Sequence, residues 1–233
     1  MYKFVSSALL SMLFLVVSSG AGATSPDHTK AITLHGQVTF NGLAQSAAEQ
    51  DYGNTIVFFQ PDAPVKVEPM RDNITMATKG YAFVPHVLAV TTGTKVRFPN
   101  FDPIYHNVFS SSVPNNFDLG LYGRNPGKTD VFDHQGLVRV YCNVHHYMFA
   151  YILVLNTPYF TKVEGQGEFS LPDLPAGPGT LTIWNPQTKV WREHVNTIQQ
   201  AALNVNLDVI KHGIPEHSNK NGKSYFHPHV GGV

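Results

Sequence analysis

Short apolar segments bounded by turn-forming residues recur along the chain and constrain its fold more than any other feature. Within each, apolar side chains alternate with polar ones or form a brief β-branched run, a pattern typical of β-strands. The segments are 32–40, 55–59, 87–90, 95–98, 138–142, 150–155, 167–171, 179–184 and 203–209. Helical periodicity is weak, with 43–50 the best short candidate. The sequence therefore predicts an all-β protein built as a sandwich or a pair of sandwiches.

The N-terminal residues have the pattern of a secretory signal peptide. Lys3 supplies a positive charge, residues 5–17 form an apolar core, and Ala-Gly-Ala at 21–23 is a small-residue cleavage site. Serines interrupt this core, which is too short for a permanent membrane span. We therefore predict a signal peptide at 1–23, a periplasmic or otherwise exported protein, and no integral membrane span after cleavage. An uncleaved anchor is the alternative.

The charge balance argues against nucleic acid as a partner. The chain has 16 Lys and Arg residues against 16 Asp and Glu residues, and the basic residues form no block. Because phosphate backbones are bound mainly through clustered basic side chains, we expect no nucleic-acid binding. Apolar residues make up 42% of the chain, which is enough for a substantial core in one or two folded domains.

Cys142 is the only cysteine of the chain, although exported proteins usually pair their cysteines. It begins the run Cys142-Asn143-Val144-His145-His146-Tyr147-Met148, and His106 lies in a strand-like segment upstream. A lone cysteine can also serve as a small buried apolar residue. A thiolate, two imidazoles and a thioether nevertheless suit one copper ion, because sulfur holds Cu(I) and imidazole tolerates Cu(II). We interpret these residues as a copper site and the protein as an electron carrier.

The predicted strands place the ligand candidates near strand ends. His106 follows a loop, Cys142 ends the strand at 138–142, and Met148 leads into the strand at 150–155. The metal loop is thus expected to be held between two adjacent strands, which restricts ligand movement.

Residues 65–155 resemble the cupredoxins, the type 1 blue-copper proteins. The resemblance lies in the stretches 83–85, 90–100, 106–108 and 136–142 and in the C-x-x-H-x-x-M loop that begins at Cys142. This loop is most similar to that of amicyanin, and the whole chain resembles periplasmic, plastocyanin-like proteins labelled as methylamine-utilisation proteins. The resemblance implies a cupredoxin Greek-key β-sandwich over 64–155.

The same resemblance implies roles for five residues. His106, Cys142 and His145 would form a trigonal plane around one type 1 copper, with Met148 as the distant axial ligand. Asn107 would tie the two ligand loops together and help polarise the cysteine sulfur.

Other histidines are weaker candidates for the metal. His146 follows His145 directly, so either imidazole could reach the ion, although the spacing favours His145. His86 and His134 are interpreted as polar groups of the core or surface.

The segments on either side of the cupredoxin-like part resemble a second sandwich. Residues 31–62 are similar to the opening strands of a transthyretin-like or carboxypeptidase-regulatory-like domain, and 156–210 are similar to its later strands. We therefore expect the cupredoxin-like domain to be inserted between two halves of this second domain, with a tandem arrangement as the alternative. The tail at 211–233 is polar and is expected to be flexible.

The residues around Cys142 favour an electron carrier over an enzyme. Multicopper oxidases pass electrons through histidines on both sides of the cysteine, whereas Tyr141 and Asn143 flank Cys142 here. No second histidine site of the nitrite-reductase kind can be assigned, and a binuclear copper centre needs two cysteines. We expect a one-electron Cu(I)/Cu(II) carrier that meets redox donor and acceptor proteins. The alternatives are a copper carrier or storage protein and a metal-free interaction module.

Overall fold

The computed structural model describes residues 31–42, 51–199, 201–210 and 218–223. Apart from Asp51 and Tyr52, which are helical, the regular structure of these residues is essentially β, as the sequence predicted. The strands are β1 (Ile32–Asn41), β2 (Ile56–Pro61), β3 (Ala77–Lys79), β4 (Ala82–Val84), β5 (Val87–Thr91), β6 (Thr94–Asn100), β7 (His106–Ser110), β8 (Phe117–Tyr122), β9 (Asn125–Phe132), β10 (Gly136–Tyr141), β11 (Phe149–Leu155), β12 (Phe160–Lys162), β13 (Glu168–Leu174), β14 (Pro178–Trp184), β15 (Trp191–Asn196) and β16 (Leu203–Asp208).

Three expectations lie wholly or largely outside the described residues. These are the signal peptide at 1–23, the helical candidate at 43–50 and the tail at 211–233, of which only 218–223 is described. Within the described ranges, no helix has the length and hydropathy needed to cross a bilayer.

Two sheets enclose a core within residues 64–155. The five-stranded sheet has the order β5-β11-β10-β7-β8, and the four-stranded sheet has the order β4-β3-β6-β9. The five-stranded sheet is mixed, because β5 is parallel to β11 whereas β10 is antiparallel to β11. The side chains between the two sheets include Val90, Val96, Phe98, Val108, Phe132, Val138, Val140, Cys142, Met148, Ile152 and Val154. This is the two-sheet sandwich expected for this segment.

The remaining strands form two further sheets, with the orders β13-β1-β16 and β12-β2-β14-β15. β1 pairs antiparallel with β13 and parallel with β16, while β2 pairs antiparallel with β12 and β14. The polypeptide therefore leaves these sheets before residue 64 and re-enters them after residue 155. The assignment of these strands to a transthyretin-like domain stays a prediction.

The strand β11 is buried on both faces. Alternate side chains point to opposite sides of a strand, and Ala150, Ile152 and Val154 contribute to the core just described. Tyr151 and Leu153 belong instead to a second buried cluster, together with Leu155, Ile56, Val87, Ala89 and Trp184. The ring centroids of Tyr151 and Trp184 are 5.6 Å apart. This double burial explains why the β11 sequence is almost continuously apolar.

Replacement of Trp184 with alanine tests whether this second cluster stabilises the fold. Trp184 is buried against Tyr151, so Trp184→Ala should lower the free energy of unfolding by ~3–5 kcal/mol. Trp191→Ala is the matched control, because Trp191 is only partly buried and its loss should be smaller. Urea denaturation of both variants measures the difference, and equal losses would contradict the prediction.

Candidate metal centre

Three side chains from two separate segments of the sequence converge at one end of the core within residues 64–155. The Cys142 Sγ lies 3.8 Å from the His106 Nδ1 and 3.8 Å from the His145 Nδ1, and the two Nδ1 atoms are 3.2 Å apart. Bonds of ~2.0–2.3 Å from one ion to nitrogen and sulfur hold the ligand atoms at separations of this size. The donor set therefore fits a single first-row transition metal ion.

The strand pairing explains how His106 and Cys142 meet. His106 is the first residue of β7, and Cys142 directly follows β10. These strands are antiparallel, with Tyr141 opposite Phe109, so the chain that continues past Tyr141 approaches the beginning of β7. The side chain of Cys142 lies with the apolar residues of the core, and both it and His106 are 0% exposed.

A compact turn brings the rest of the metal loop back to Cys142. The Cys142 amide donates to the carbonyl oxygen of Met148 at 3.1 Å, and the Met148 amide donates to the carbonyl oxygen of His145 at 2.9 Å. Met148 is 1% exposed and packs in the same core as Cys142. The loop thus places a thioether residue among the buried groups around Cys142.

His106 makes a second polar contact on the far side of its ring. Its Nε2 lies 3.1 Å from the Oδ2 of Asp102, a residue that the sequence analysis did not single out. Burial lowers the pKa of His106, the neighbouring His145 lowers it further, and Asp102 opposes both effects. A lowered pKa favours the neutral imidazole, which is the form that binds a metal.

Asp102 is itself a buried carboxyl group with several donors. Burial raises its pKa, but hydrogen bonds from the amides of Tyr81 and Gly80 and the proximity of His106 outweigh that effect and lower the pKa overall. Asp102 is therefore a buried carboxylate next to the candidate ligand His106.

His145 is the more accessible of the two converging imidazoles. It is partly buried, and Tyr81 lies edge-on to it with ring centroids 5.5 Å apart, while the ring centroid of Tyr147 lies 6.0 Å away. Both tyrosines are exposed. The metal-ligand candidates thus reach the protein surface at His145, which contacts two exposed aromatic rings.

Asn107 takes part in a chain of polar contacts that reaches Asn143, the residue after Cys142. Its side-chain amide donates to Asp118 Oδ1 at 2.7 Å. Asp118 also accepts a bond from the Lys220 ammonium at 2.8 Å, and the Lys220 backbone amide donates to the Asn143 side chain at 3.2 Å. These contacts connect the residue after His106 with the residue after Cys142. The predicted polarisation of the sulfur by Asn107 stays a prediction.

The remaining histidine candidates lie away from the converging atoms. His146 is exposed and packs against Tyr147 with ring centroids 5.8 Å apart. His86 packs edge-on to Phe149, and burial lowers its pKa. His134 is exposed, and its backbone exchanges hydrogen bonds with Asn115. Of the alternatives open from sequence, the structure groups His145 with His106 and Cys142.

No family model matches the chain, and no curated protein sequence matches it. Solved structures similar to part of it include a purple cupredoxin from Nitrosopumilus maritimus, with 21% identity and a TM-score of 0.32 over 35% of this chain and 99% of that one. A copper-containing nitrite reductase from Thermus scotoductus SA-01 has 23% identity and a TM-score of 0.36 over 52% of this chain and 28% of that one. An amicyanin variant in its Cu(I) form has 15% identity and a TM-score of 0.34 over 42% of this chain and 98% of that one. Similarities this low do not define the family of the chain.

Chemical modification can test which histidine of the loop faces the metal. In the metal-free protein, diethylpyrocarbonate should modify exposed His146 fastest, partly buried His145 more slowly and buried His106 least. Added Cu(II) should protect His145 and leave His146 reactive, because the Nδ1 of His145 points towards Cys142. Peptide mass spectrometry gives the extent of modification at each site. Protection of His146 in place of His145 would contradict the assignment.

Proposed function

We propose that this chain is an exported blue-copper electron-transfer protein with one type 1 copper ion held by His106, Cys142, His145 and Met148. The observation that supports this most directly is the convergence of two imidazole nitrogens and one thiol sulfur within 3.8 Å of one another. A copper ion bound there would supply one-electron exchange between Cu(I) and Cu(II). The buried thioether of Met148 completes the donor types of such a site.

The residues around the site suit an electron carrier because they restrict movement and exclude water. His106, Cys142 and Met148 are buried in a core made by two sheets, and close packing in protein interiors resists displacement of side chains. His145 alone among the converging ligands is partly accessible. We propose that redox donor and acceptor proteins approach at the His145 edge.

The enclosed site favours an electron carrier over a copper carrier or storage protein. A protein that exchanges its metal needs an accessible ligand set, whereas the sulfur and one imidazole here are 0% exposed. The absence of histidine beside Cys142 in the sequence, where Tyr141 and Asn143 stand, also favours a carrier over a multicopper oxidase. We propose that the chain is an electron carrier and not an enzyme.

The location and the domain organisation complete the proposal. The signal-like residues 1–23 suggest export to the periplasm or another exported location. We propose that 64–155 is a cupredoxin domain inserted into a transthyretin-like domain formed by 31–62 and 156–210, a division supported by the pairing of β1 with β13 and β16.

Substitution of Cys142 tests the proposed copper chemistry. The copper-loaded protein should show an intense visible absorption band from thiolate-to-copper charge transfer, and Cys142→Ala should abolish it because the variant lacks the thiolate. His146→Ala is the control and should retain the band. Absorption and paramagnetic-resonance spectra, together with the copper-to-protein ratio, measure the result. A colourless, copper-loaded protein that yields its metal readily to a chelator would contradict the electron-carrier proposal and favour a copper carrier.

Substitution of Met148 tests its proposed axial role. Met148→Leu keeps the apolar volume of the core but removes the thioether, so the visible band should persist while the reduction potential rises. The expected change is about tenfold in the redox equilibrium, or about 59 mV for one electron. Voltammetry of the immobilised protein measures it. An unchanged potential would contradict an axial role for Met148.

A further inference from the structure

We infer that Asp102 is a positioning residue of the metal centre. Its carboxylate holds the Nε2–H of His106 so that Nδ1 faces the metal, and its negative charge favours the oxidised ion. This inference rests on the proposed copper function. Asp102 touches no converging ligand atom and acts through the His106 ring.

The carboxylate of Asp102 is fixed on both oxygens. Its Oδ1 accepts a bond from the Gly80 amide at 2.7 Å, and its Oδ2 accepts bonds from the Tyr81 amide at 3.0 Å and faces the Nε2 of His106 at 3.1 Å. The side chain is 9% exposed. Three nitrogen groups therefore converge on one buried carboxylate, which leaves it little freedom to move away from His106.

This arrangement selects one tautomer of His106. An ionised carboxylate only accepts hydrogen bonds, so the ring nitrogen that faces it must carry the hydrogen. A neutral imidazole has one N–H, and with that hydrogen on Nε2 the lone pair is on Nδ1. The Nδ1 is the atom that faces Cys142 Sγ and His145 Nδ1. Asp102 thus prepares the nitrogen that the proposed ligand set requires.

The loop between Asp102 and His106 is held in a defined shape. The Asp102 amide donates to Asn100 Oδ1 at 2.9 Å, and the Asn100 side-chain amide donates to the carbonyl oxygens of Ile104 at 2.9 Å and Tyr122 at 3.2 Å. Asn100 is itself buried. The contact between Asp102 and His106 is therefore imposed by a braced loop.

Asp102 also connects the two imidazoles through Tyr81. The Tyr81 amide donates to Asp102, and the Tyr81 ring lies edge-on to both His106 and His145, with centroid distances of 6.2 and 5.5 Å. One carboxylate therefore fixes the buried imidazole directly and anchors the residue that packs against the accessible one.

The charge of Asp102 should also affect the redox equilibrium. A buried anion stabilises nearby positive charge more strongly than a solvated one, and the oxidised copper ion carries one more positive charge than the reduced ion. Asp102 should therefore stabilise the oxidised state and lower the reduction potential.

Two substitutions separate the charge of Asp102 from its hydrogen bond. The asparagine of Asp102→Asn carries no charge and has one oxygen in place of two. With that oxygen at the Oδ2 position, the side chain still accepts hydrogen bonds from His106 and Tyr81. Asp102→Leu removes the acceptor as well. Asp62→Asn is the matched control, because Asp62 forms an exposed pair with His194 at 2.9 Å between the carboxylate and Nε2.

Nitrogen NMR of the metal-free protein at alkaline pH gives the first measurement. We expect the Nε2–H tautomer of His106 in the wild type and in Asp102→Asn, and its loss in Asp102→Leu. The second measurement is the reduction potential of the copper-loaded proteins. Asp102→Asn should raise this potential by about 59 mV, which corresponds to about a tenfold change in the redox equilibrium constant. Competition with a chelator should show ~10–100-fold weaker Cu(II) binding in Asp102→Leu.

The outcomes distinguish this inference from the proposed function. A wild-type protein without a blue copper spectrum would overturn the copper function, while the NMR comparison would still decide whether Asp102 sets the His106 tautomer. A blue wild type whose potential is changed no more by Asp102→Asn than by Asp62→Asn would overturn the inference about charge. An unchanged His106 tautomer in Asp102→Leu would overturn positioning. If Asp102→Leu fails to fold, Asp102→Ala replaces it.

Discussion

Two imidazoles and a thiol meet at one end of a β-sandwich core, and buried polar groups of this kind are stable only where they have partners. His106 meets this condition on both sides of its ring, with Asp102 at Nε2 and Cys142 and His145 near Nδ1. His106 begins β7 and Cys142 directly follows β10. Antiparallel pairing of these two strands brings the two residues together. The rest of the site depends on that pairing, because the loop from Cys142 to Met148 only has to return to a strand end already fixed by the sheet.

The strand β11 connects the core that contains Cys142 with a second buried cluster, because side chains on both of its faces are buried. β11 begins one residue after Met148, so the end of the metal loop is anchored to a strand that packs on two sides. Ile152 faces the core that contains Cys142, and Leu153 faces the cluster that contains Trp184. The Lys162 ammonium, on β12, also donates to the carbonyl oxygen of Val87 on β5 at 2.9 Å. The strands β2, β12 and β14, which lie outside 64–155, therefore pack against the sheet that contains β11.

The sequence singled out the converging residues because their chemistry is visible in residue type and spacing, and their role as metal ligands stays a prediction. A lone cysteine with histidine three positions later has few structural explanations, and the structure does group Cys142 with His145 and His106. The strand β1, with its apolar alternation, and the strand β11, with its nearly continuous apolar run, were also predicted. The strands β8, β9 and β15 were not, because each has a single buried side chain and its other side chains are exposed or only partly buried, so little alternation is visible. Asp102 was not predicted, because an irregular loop held by the hydrogen bonds of Asn100 brings it to His106. Such a contact has no regular spacing in the sequence.

The two imidazoles have different surroundings, and this difference suggests a division of roles. His106 is enclosed and bonded to an anionic carboxylate, so its environment is insulated from solvent and from any approaching protein. His145 contacts the rings of Tyr81 and Tyr147 and is partly accessible. If a redox partner binds at His145 as proposed above, an electrostatic influence acting through His106 would stay constant, because the Asp102 carboxylate is buried. Under the function proposed above, this arrangement would keep the reduction potential separate from the contact surface. Tyr81, which is anchored to Asp102 and packs on His145, would be the residue where the two meet.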